Sequence, residues 1–388
     1  MPSMTRRSPA LTAGLRWGAI ALAAMLVVSA CTSAPTPGPS MTSGATNTPA
    51  ETAAGGPRPP SASVTLQGAG ATFPAPLYQV WFEKFHEKYS NIQVDYQAIG
   101  SGGGIKAITE RTVDFGASDA AMKDEEIAAL PAGATMLHVP TALGAVVVIY
   151  NLPSVPELDL DAANVAGLFI GTITTWNDPA IAANNPGVTL PATPVVVVHR
   201  SDGSGTTNAF TTYLDTVSTA WHDQVGKGKE VNWPTGIGAQ GNDGVAGGVK
   251  QTEGTVGYVE LNYAVQAGLT LAKVQNADRN FVAGSTEGVT AAAEAAVDAF
   301  PADFRQVPII NGAGPNTYPI AAYTYVLVYE EQSDAVKGQA LVALMHWALT
   351  DGQADEGGLG YAPLPSAIQQ KAIDLLHTIT AGGQPIWP

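Results

Sequence analysis

Three segments of this chain repeat one local design: an apolar strand-like run, a turn of Gly, Ser and Thr, and a helix-like pattern. They span residues 66–76, 99–108 and 199–210. Alternation of strands with helices predicts an α/β fold. In each turn, small residues let backbone N–H groups at a helix start converge on one point, and such donors favour an anion. A single turn of this kind is usually a helix cap, but three in one chain favour a shared anionic ligand.

Hydrophobic periodicity predicts further elements. Period-two alternation or a continuous apolar run indicates strands at 92–96, 146–150, 195–199 and 320–329. Apolar residues at helical spacing, or helix-like composition, indicate helices at 77–89, 333–349 and 366–378, the first with Pro76 in its first turn. The runs at 146–150 and 195–199 are so uniformly apolar that we expect buried parallel strands there.

The first 63 residues are expected to be an export signal and a tether. Residues 1–30 combine three arginines with an apolar run, 17–28, that is too short to span a bilayer of ~30 Å. The run ends in Val-Ser-Ala-Cys31, which resembles the bacterial lipoprotein cleavage box, so Cys31 is the predicted lipidation site. The alternative is a core segment in which the cysteine stands by chance. Residues 31–63 are then a lipid anchor and a disordered linker of Ser, Thr, Pro, Ala and Gly.

Cysteine and charge content exclude several classes of protein. Cys31 is the only cysteine, which excludes disulfide bonds and Cys-ligated metal sites. The six histidines are far apart in sequence, and we expect no metal and no cofactor. Loss of residues 1–30 with their three arginines would take the net charge from −15 to −18. Such an acidic body argues against nucleic-acid binding and means that an anion site must work through local geometry.

The side chains around the three turns suggest how an anion is held. Hydroxyl groups that can donate come from Thr72, Ser101, Ser204 and Thr206. Arg200 follows a predicted buried strand, and its planar guanidinium group can bind two oxygens of an anion at once. Alternatively, Arg200 forms a surface ion pair.

Two carboxylates indicate which anion fits. Asp119 and Asp202 are poor neighbours for an anion unless it brings a proton to donate, as phosphate does and sulfate does not at neutral pH. A missing partner of this kind costs roughly 1–3 kcal/mol when buried, which discriminates against sulfate. Alternatively, Asp119 caps a helix beginning near Asp124 or is a turn residue, and Asp202 is a salt-bridge partner of Arg200.

Two other functions remain as alternatives: a binder of another tetrahedral oxyanion, and a secreted phosphatase-like enzyme. The turn at 200–207 lacks the lysine of a phosphate loop, and Ser204 is not framed as Gly-x-Ser-x-Gly. The two aspartates with only one arginine argue against sulfate or molybdate.

From Val64 to the C-terminus, the chain resembles the phosphate-binding proteins of Pst-type high-affinity phosphate ABC transporters. The matching stretches are GAGATFPAP (68–76), IGSGGG (99–104), VDFGASD (113–119), RSDGSGTT (200–207), GNDG (241–244) and VGYVE (256–260). The resemblance implies a two-lobed periplasmic-binding-protein-like fold of type II, with two hinge crossovers and a ligand cleft. It divides the body into lobe I, 64–142 plus 313–388, and lobe II, 143–312.

The resemblance also implies the function and its residues. Inorganic phosphate would be bound outside the cell by Thr72, Phe73, Ser101, Asp119, Arg200, Asp202, Ser204, Gly205 and Thr206. A monomeric carrier, attached to the membrane only through its lipid, would deliver phosphate to the transmembrane permease and catalyse no reaction. Gly102 replaces a serine common in the family, so only its backbone is left to donate. The stretches 242–244 and 257–258 have no evident chemical role and are interpreted as strand-edge turns or lobe packing.

Overall fold

The computed structural model of the protein describes residues 55–301, 303–305 and 309–388. The predicted signal, Cys31 and most of the predicted linker lie outside these residues. The linker's last residues lie inside them: Asn91 Nδ2 donates to the carbonyl oxygens of Pro60 (2.8 Å) and Ala62 (2.9 Å), so this end of the linker is held on the folded body. In the described part of the chain, no helix has the length and hydrophobicity needed to cross a membrane.

The described residues form fifteen strands and twelve α-helices, with short 3₁₀ helices at Val297–Ala299, Asp351–Asp355 and Gly357–Leu359. The strands are β1 (Val64–Gly70), β2 (Ile92–Ala98), β3 (Phe115–Ser118), β4 (Met136–Tyr150), β5 (Asp159–Leu160), β6 (Val196–Arg200), β7 (Ile237–Ala239), β8 (Thr255–Glu260), β9 (Thr270–Leu271), β10 (Lys273–Gln275), β11 (Phe281–Val282), β12 (Ala321–Tyr329), β13 (Glu331–Gln332), β14 (Thr380–Ala381) and β15 (Gln384–Pro385). The helices are α1 (Ala75–Lys88), α2 (Ser101–Thr109), α3 (Asp124–Ala128), α4 (Ala162–Ile170), α5 (Pro179–Asn184), α6 (Gly205–Val217), α7 (Thr219–Gln224), α8 (Gly241–Gln251), α9 (Leu261–Ala267), α10 (Thr286–Ala295), α11 (Ala335–Leu349) and α12 (Ser366–Leu376).

The long strand β4 organises the main sheet, whose order is β2-β1-β3-β12-β4-β8-β6-β7, with β9 also paired to β4. Residues 136–145 of β4 pair with β12, and residues 146–150 pair with β8. The pairings make β1, β2 and β3 run in the direction of β4, whereas β6, β7 and β8 run against it. Because the two sets lie along successive parts of β4, the carboxyl ends of both sets point toward its middle.

Helices cover the sheet and complete the core. Leu77, Trp81 and Phe85 recur at helical spacing on the buried face of α1, as predicted for 77–89. Helix α2 packs against β1 and β3, α8 against β6 and β8, and α11 against β1. The architecture is an α/β fold of the two-lobed periplasmic-binding-protein type, which confirms the predicted fold class. The lobe boundaries near residues 142 and 312 stay a prediction.

The strand and helix predictions hold with one correction. Strands at 92–96, 195–199 and 320–329 and helices at 77–89, 333–349 and 366–378 are present, with ends shifted by a few residues. The strand at 146–150 is also present, but it is not parallel as predicted: it runs antiparallel to β8 and β9. An apolar run reports that both faces of a strand are buried and carries no information on the direction of its neighbours.

Candidate anion-binding site

All three predicted strand–turn–helix units are present, and their helices begin beside the middle of β4. Helices α1, α2 and α6 follow β1, β2 and β6 through turns of two to four residues. Helix α8, which follows β7, begins at the same place and was not predicted as part of the site. Four helix N-termini therefore converge, which favours an anion, although several of their amides donate to protein atoms within the site.

One part of the site joins Ser101, Asp119 and Gly205. Ser101 Oγ accepts hydrogen bonds from the amides of Gly205 (3.0 Å) and Asp119 (3.2 Å) and donates to Asp119 Oδ2 (3.3 Å). A Cβ on Gly205 would lie 2.5 Å from the Cβ of Asp119 and 2.7 Å from Ser101 Oγ, so only glycine allows α6 to begin this close. The Gly205 amide, predicted to face the ligand, donates to Ser101 in this structure.

The carboxyl group of Asp119 is buried and has an unusual pKa. Burial raises the pKa of Asp119 from 3.8 to about 7, although the hydrogen bond from Thr324 Oγ1 (2.8 Å), the charge of Arg200 and the hydrogen bond from Ser101 lower it. Asp119 does not cap the helix near Asp124, since the N-cap of α3 is Lys123. The capping alternative is therefore wrong, and the carboxylate faces the site.

Arg200 and Asp202 form a bidentate ion pair. Arg200 Nε and Nη2 donate to the two carboxylate oxygens at 2.8 and 2.5 Å, and the Gly241 amide donates to Asp202 Oδ1 at 3.1 Å. The side chains are 1% and 14% exposed, so this is not a surface pair, whereas the alternative role of Asp202 as salt-bridge partner is confirmed. Burial alone would raise the pKa of Asp202, but the hydrogen bonds and charge of Arg200 outweigh it and lower that pKa below 3.8.

Thr72 and Thr206 meet through a residue that was assigned no role. Asn242 Nδ2 donates to Thr72 Oγ1 at 3.0 Å and to Thr206 Oγ1 at 3.2 Å. Arg200 Nη1 also lies 3.4 Å from Thr206 Oγ1. The interpretation of 242–244 as a strand-edge turn is wrong for Asn242, which lies in helix α8 and is fully buried between two predicted site residues.

Tyr258 lies in the stretch 257–258, which was also assigned no role, and it hydrogen-bonds both sides of the third turn. Its hydroxyl accepts from the Arg200 amide (3.2 Å) and hydrogen-bonds Thr207 Oγ1 (2.6 Å), and its ring stacks on Phe210. The packing interpretation of this residue is thus confirmed. Its contacts fix the backbone from which the Arg200 side chain extends.

The peptide units of Thr72 and Phe73 are held by two tyrosines. Tyr263 Oη donates to the Thr72 carbonyl (2.6 Å) and Tyr361 Oη to the Phe73 carbonyl (2.7 Å). Thr72 follows β1 and Tyr263 lies in α9 after β8, so this contact joins the two sets of strands. No periodic or compositional signal in the sequence marks these tyrosines.

Ser204 and Gly102 also make hydrogen bonds within the protein. Ser204 Oγ accepts from the Thr207 amide (3.0 Å) and is the N-cap of α6, the cap role considered for such turns. The Gly102 amide donates to the Gly203 carbonyl (2.8 Å), which corrects the expectation that its backbone is left for the ligand. A Cβ at Gly102 would lie 3.1 Å from Gly203 Cα, so the missing side chain permits this close approach.

The assembled site is a buried set of neutral donors with one arginine and one high-pKa carboxyl group. Eight of the nine predicted site residues are buried, and Asp202 is half-buried. Among the described residues, no group of three or more His, Cys, Asp or Glu side chains is arranged to hold a metal ion. The arrangement suits a small, protonated oxyanion removed from water.

Comparison with known proteins identifies the family. The profile of the PBP superfamily domain matches residues 46–374. The phosphate-binding protein PstS of Xylella fastidiosa is 41% identical over 79% of this chain and 84% of its own length. PstS of Pasteurella multocida is 42% identical over 79% of this chain and 88% of its own length. This chain belongs to the PstS family.

A solved structure supports the family's fold at lower sequence identity. PfluDING, a high-affinity periplasmic phosphate-binding protein solved with bound phosphate, is 20% identical, with a TM-score of 0.65 over 82% of this chain and 99% of its own. At that identity the likeness establishes the fold alone. The predicted resemblance to Pst-type phosphate-binding proteins is confirmed by the family match.

Proposed function

We propose that this chain binds inorganic phosphate outside the cytoplasmic membrane and delivers it to the permease of an ABC transporter. Relatives in the PstS family are named phosphate-binding proteins. The observation that carries the proposal is the buried Asp119 carboxyl group among helix N-termini and Arg200. It can accept a proton from the ligand, whereas the other carboxylate of the proposed set, Asp202, is already paired with Arg200.

The pairing of donors with one acceptor selects phosphate. Phosphate carries one or two protons at neutral pH, so one oxygen can donate to Asp119 while the others accept from Arg200 and the hydroxyl groups. Sulfate has no proton to give and would face an ionised carboxylate. Leaving that contact unmatched costs roughly 1–3 kcal/mol or more in a buried site.

The ligand-binding residues we propose are the nine predicted from the sequence. Six of them form two bonded groups, Ser101–Asp119–Gly205 and Arg200–Asp202–Thr206, and Asn242 joins Thr72 to the second group. Phe73 lies beside Thr72, and Ser204 caps the helix that carries Gly205 and Thr206.

The hydrogen bonds of Ser101 and Ser204 favour a carrier over an enzyme. Ser204 Oγ is occupied as a helix cap, and Ser101 Oγ accepts from two amides and donates to a carboxylate, so neither is paired with a base as a nucleophile would be. We also propose that the protein is a monomer and that a lipid on Cys31 anchors it to the membrane. The lipoprotein-like sequence before Cys31 supports the anchor.

Titration calorimetry of the purified protein with phosphate, arsenate and sulfate tests the function. We expect tight binding of phosphate, binding of arsenate, which has similar protonation, and much weaker binding of sulfate at pH 8. Equal affinity for sulfate and phosphate would favour a general oxyanion binder. Metal-dependent turnover of a chromogenic phosphate monoester above background would favour the enzyme.

A further inference from the structure

The stretches 241–244 and 256–260 reach the centre of the site, although the predicted ligand set includes neither. Asn242 is the second residue of α8 and is fully buried. Its Nδ2 lies 3.0 Å from Thr72 Oγ1 and 3.2 Å from Thr206 Oγ1, and its backbone amide lies 3.4 Å from Thr72 Oγ1. One amide side chain thus contacts a hydroxyl group from each of two helix starts.

The second stretch fixes which way the Asn242 amide points. The backbone N–H of Glu260 donates to Asn242 Oδ1 at 3.2 Å. A backbone N–H can only donate, so the atom that faces it must be the amide oxygen. The amide nitrogen is consequently turned toward Thr72 and Thr206, and an inverted amide would set two donors against each other.

This orientation determines what the two hydroxyl groups can do. A hydroxyl has one hydrogen and can accept through its oxygen, whereas an amide nitrogen only donates. Thr72 Oγ1 and Thr206 Oγ1 are therefore acceptors toward Asn242, and Thr206 Oγ1 also accepts from Arg200 Nη1 at 3.4 Å. In the part of the chain that the structure describes, neither hydroxyl donates to a protein acceptor.

We infer that Asn242 is a positioning residue that makes the hydroxyl groups of Thr72 and Thr206 obligate donors to the bound oxyanion. The inference rests on the proposed function. The Asn242 amide nitrogen donates to both threonine oxygens, so each hydroxyl group accepts from Asn242 and its hydrogen is left for the ligand. A water molecule in place of the amide could donate or accept and would leave the hydroxyl hydrogens free to turn away.

A double-mutant cycle with phosphate tests this role. Asn242→Ala should weaken phosphate binding roughly tenfold or more, as expected for disturbed hydrogen bonds to a charged ligand. In a Thr72→Val/Thr206→Val background the same substitution should change the dissociation constant less than about twofold, because the groups through which Asn242 acts are gone. An equal loss in both backgrounds, or no loss in either, would overturn the inference.

A matched control separates positioning from packing. Asn185 is similarly buried, donates to the Asp159 and Ile181 carbonyls at 2.8 Å each, and accepts from the Asp159 amide at 2.8 Å. Asn185→Ala should lower the unfolding temperature and leave phosphate affinity unchanged. If the control also loses affinity, the loss at Asn242 reflects general destabilisation and the inference fails.

A second variant and a measurement on the unaltered protein distinguish the possible causes of a lost affinity. If thermal unfolding shows that Asn242→Ala has not folded, Asn242→Leu takes its place in the same cycle, because leucine has nearly the shape of asparagine but no donor. Absence of phosphate binding by the unaltered protein would refute the proposed function itself. Normal binding by that protein together with an unaffected Asn242 variant would refute only the positioning role.

Discussion

Asp119→Asn is the substitution that tests the selectivity of the site most directly. Asparagine keeps the shape of the side chain but is always neutral. Its single amide oxygen can accept from only one of Ser101 and Thr324, and its nitrogen carries N–H donors. It therefore resembles the protonated form of Asp119. We expect the variant to bind sulfate better than the unaltered protein does at pH 8, and to retain phosphate binding.

The pKa of Asp119 sets the magnitude of the effect. The group has a raised pKa of about 7, so it is mostly protonated below that pH and mostly ionised above it. At pH 6 about nine-tenths of the molecules carry the proton, and at pH 8 about one-tenth do. Only the protonated form offers sulfate a donor, so sulfate affinity of the unaltered protein should rise about tenfold from pH 8 to pH 6, or about 1.4 kcal/mol.

Calorimetry measures both the affinity for sulfate and the number of protons taken up when sulfate binds. Sulfate titrations of the unaltered protein at pH 8, in two buffers of different ionisation enthalpy, should reveal uptake of nearly one proton per sulfate bound. Asp119→Asn should bind sulfate with the same affinity at pH 6 and pH 8 and take up no proton at this position. Sulfate binding by the unaltered protein that is independent of pH, without proton uptake, would refute the role given to Asp119.

Three further substitutions test other parts of the site. Arg200→Ala should abolish measurable phosphate binding. Because it leaves the carboxylate partner unpaired, it should also lower the free energy of unfolding by roughly 3 kcal/mol in guanidinium titrations. Unchanged stability would contradict the buried ion pair. Gly205→Ala should weaken phosphate binding more than tenfold, since the added Cβ would lie 2.5 Å from that of the buried aspartate, whereas Gly247→Ala, with open space around it, should not. Tyr263→Phe should reduce the thermal stabilisation that phosphate confers. Tyr150→Phe, which loses a similar bond to the carbonyl of Val155 in the loop after β4, should lower the unfolding temperature with and without phosphate alike.

Local sequence predicted several of the longer elements and the positions of the three Gly/Ser/Thr turns. The turn before α6 illustrates why: Ser204 is an N-cap, Gly205 begins the helix and the preceding strand is β-branched, and each preference acts within a few residues. The same local signals could not give strand direction. Residues 146–150 are apolar because both faces are buried, and only their pairing with β8 made them antiparallel.

Site residues were predictable where a motif and the chemistry of the residue itself point to an anion, and not where the role depends on contacts between distant segments. Asp119 and Arg200 lie in stretches that resemble the family, and their chemistry suggests an anion. Asn242, Tyr263 and Thr324 reach the site from other parts of the chain and hydrogen-bond Thr72 and Asp119 across 170 or more residues. Nothing in the residues flanking them reports those contacts.

The sequence by itself predicted an anion site made of helix starts, hydroxyl groups and one arginine, because caps, turns and strands follow from short-range preferences. Tertiary structure alone decided the protonation and the direction of the donors. Burial gives Asp119 a pKa of about 7, and the Glu260 amide turns Asn242 toward two threonines. Both effects depend on desolvation and on contacts between segments far apart in the chain, which arise only when the two sets of strands meet along β4.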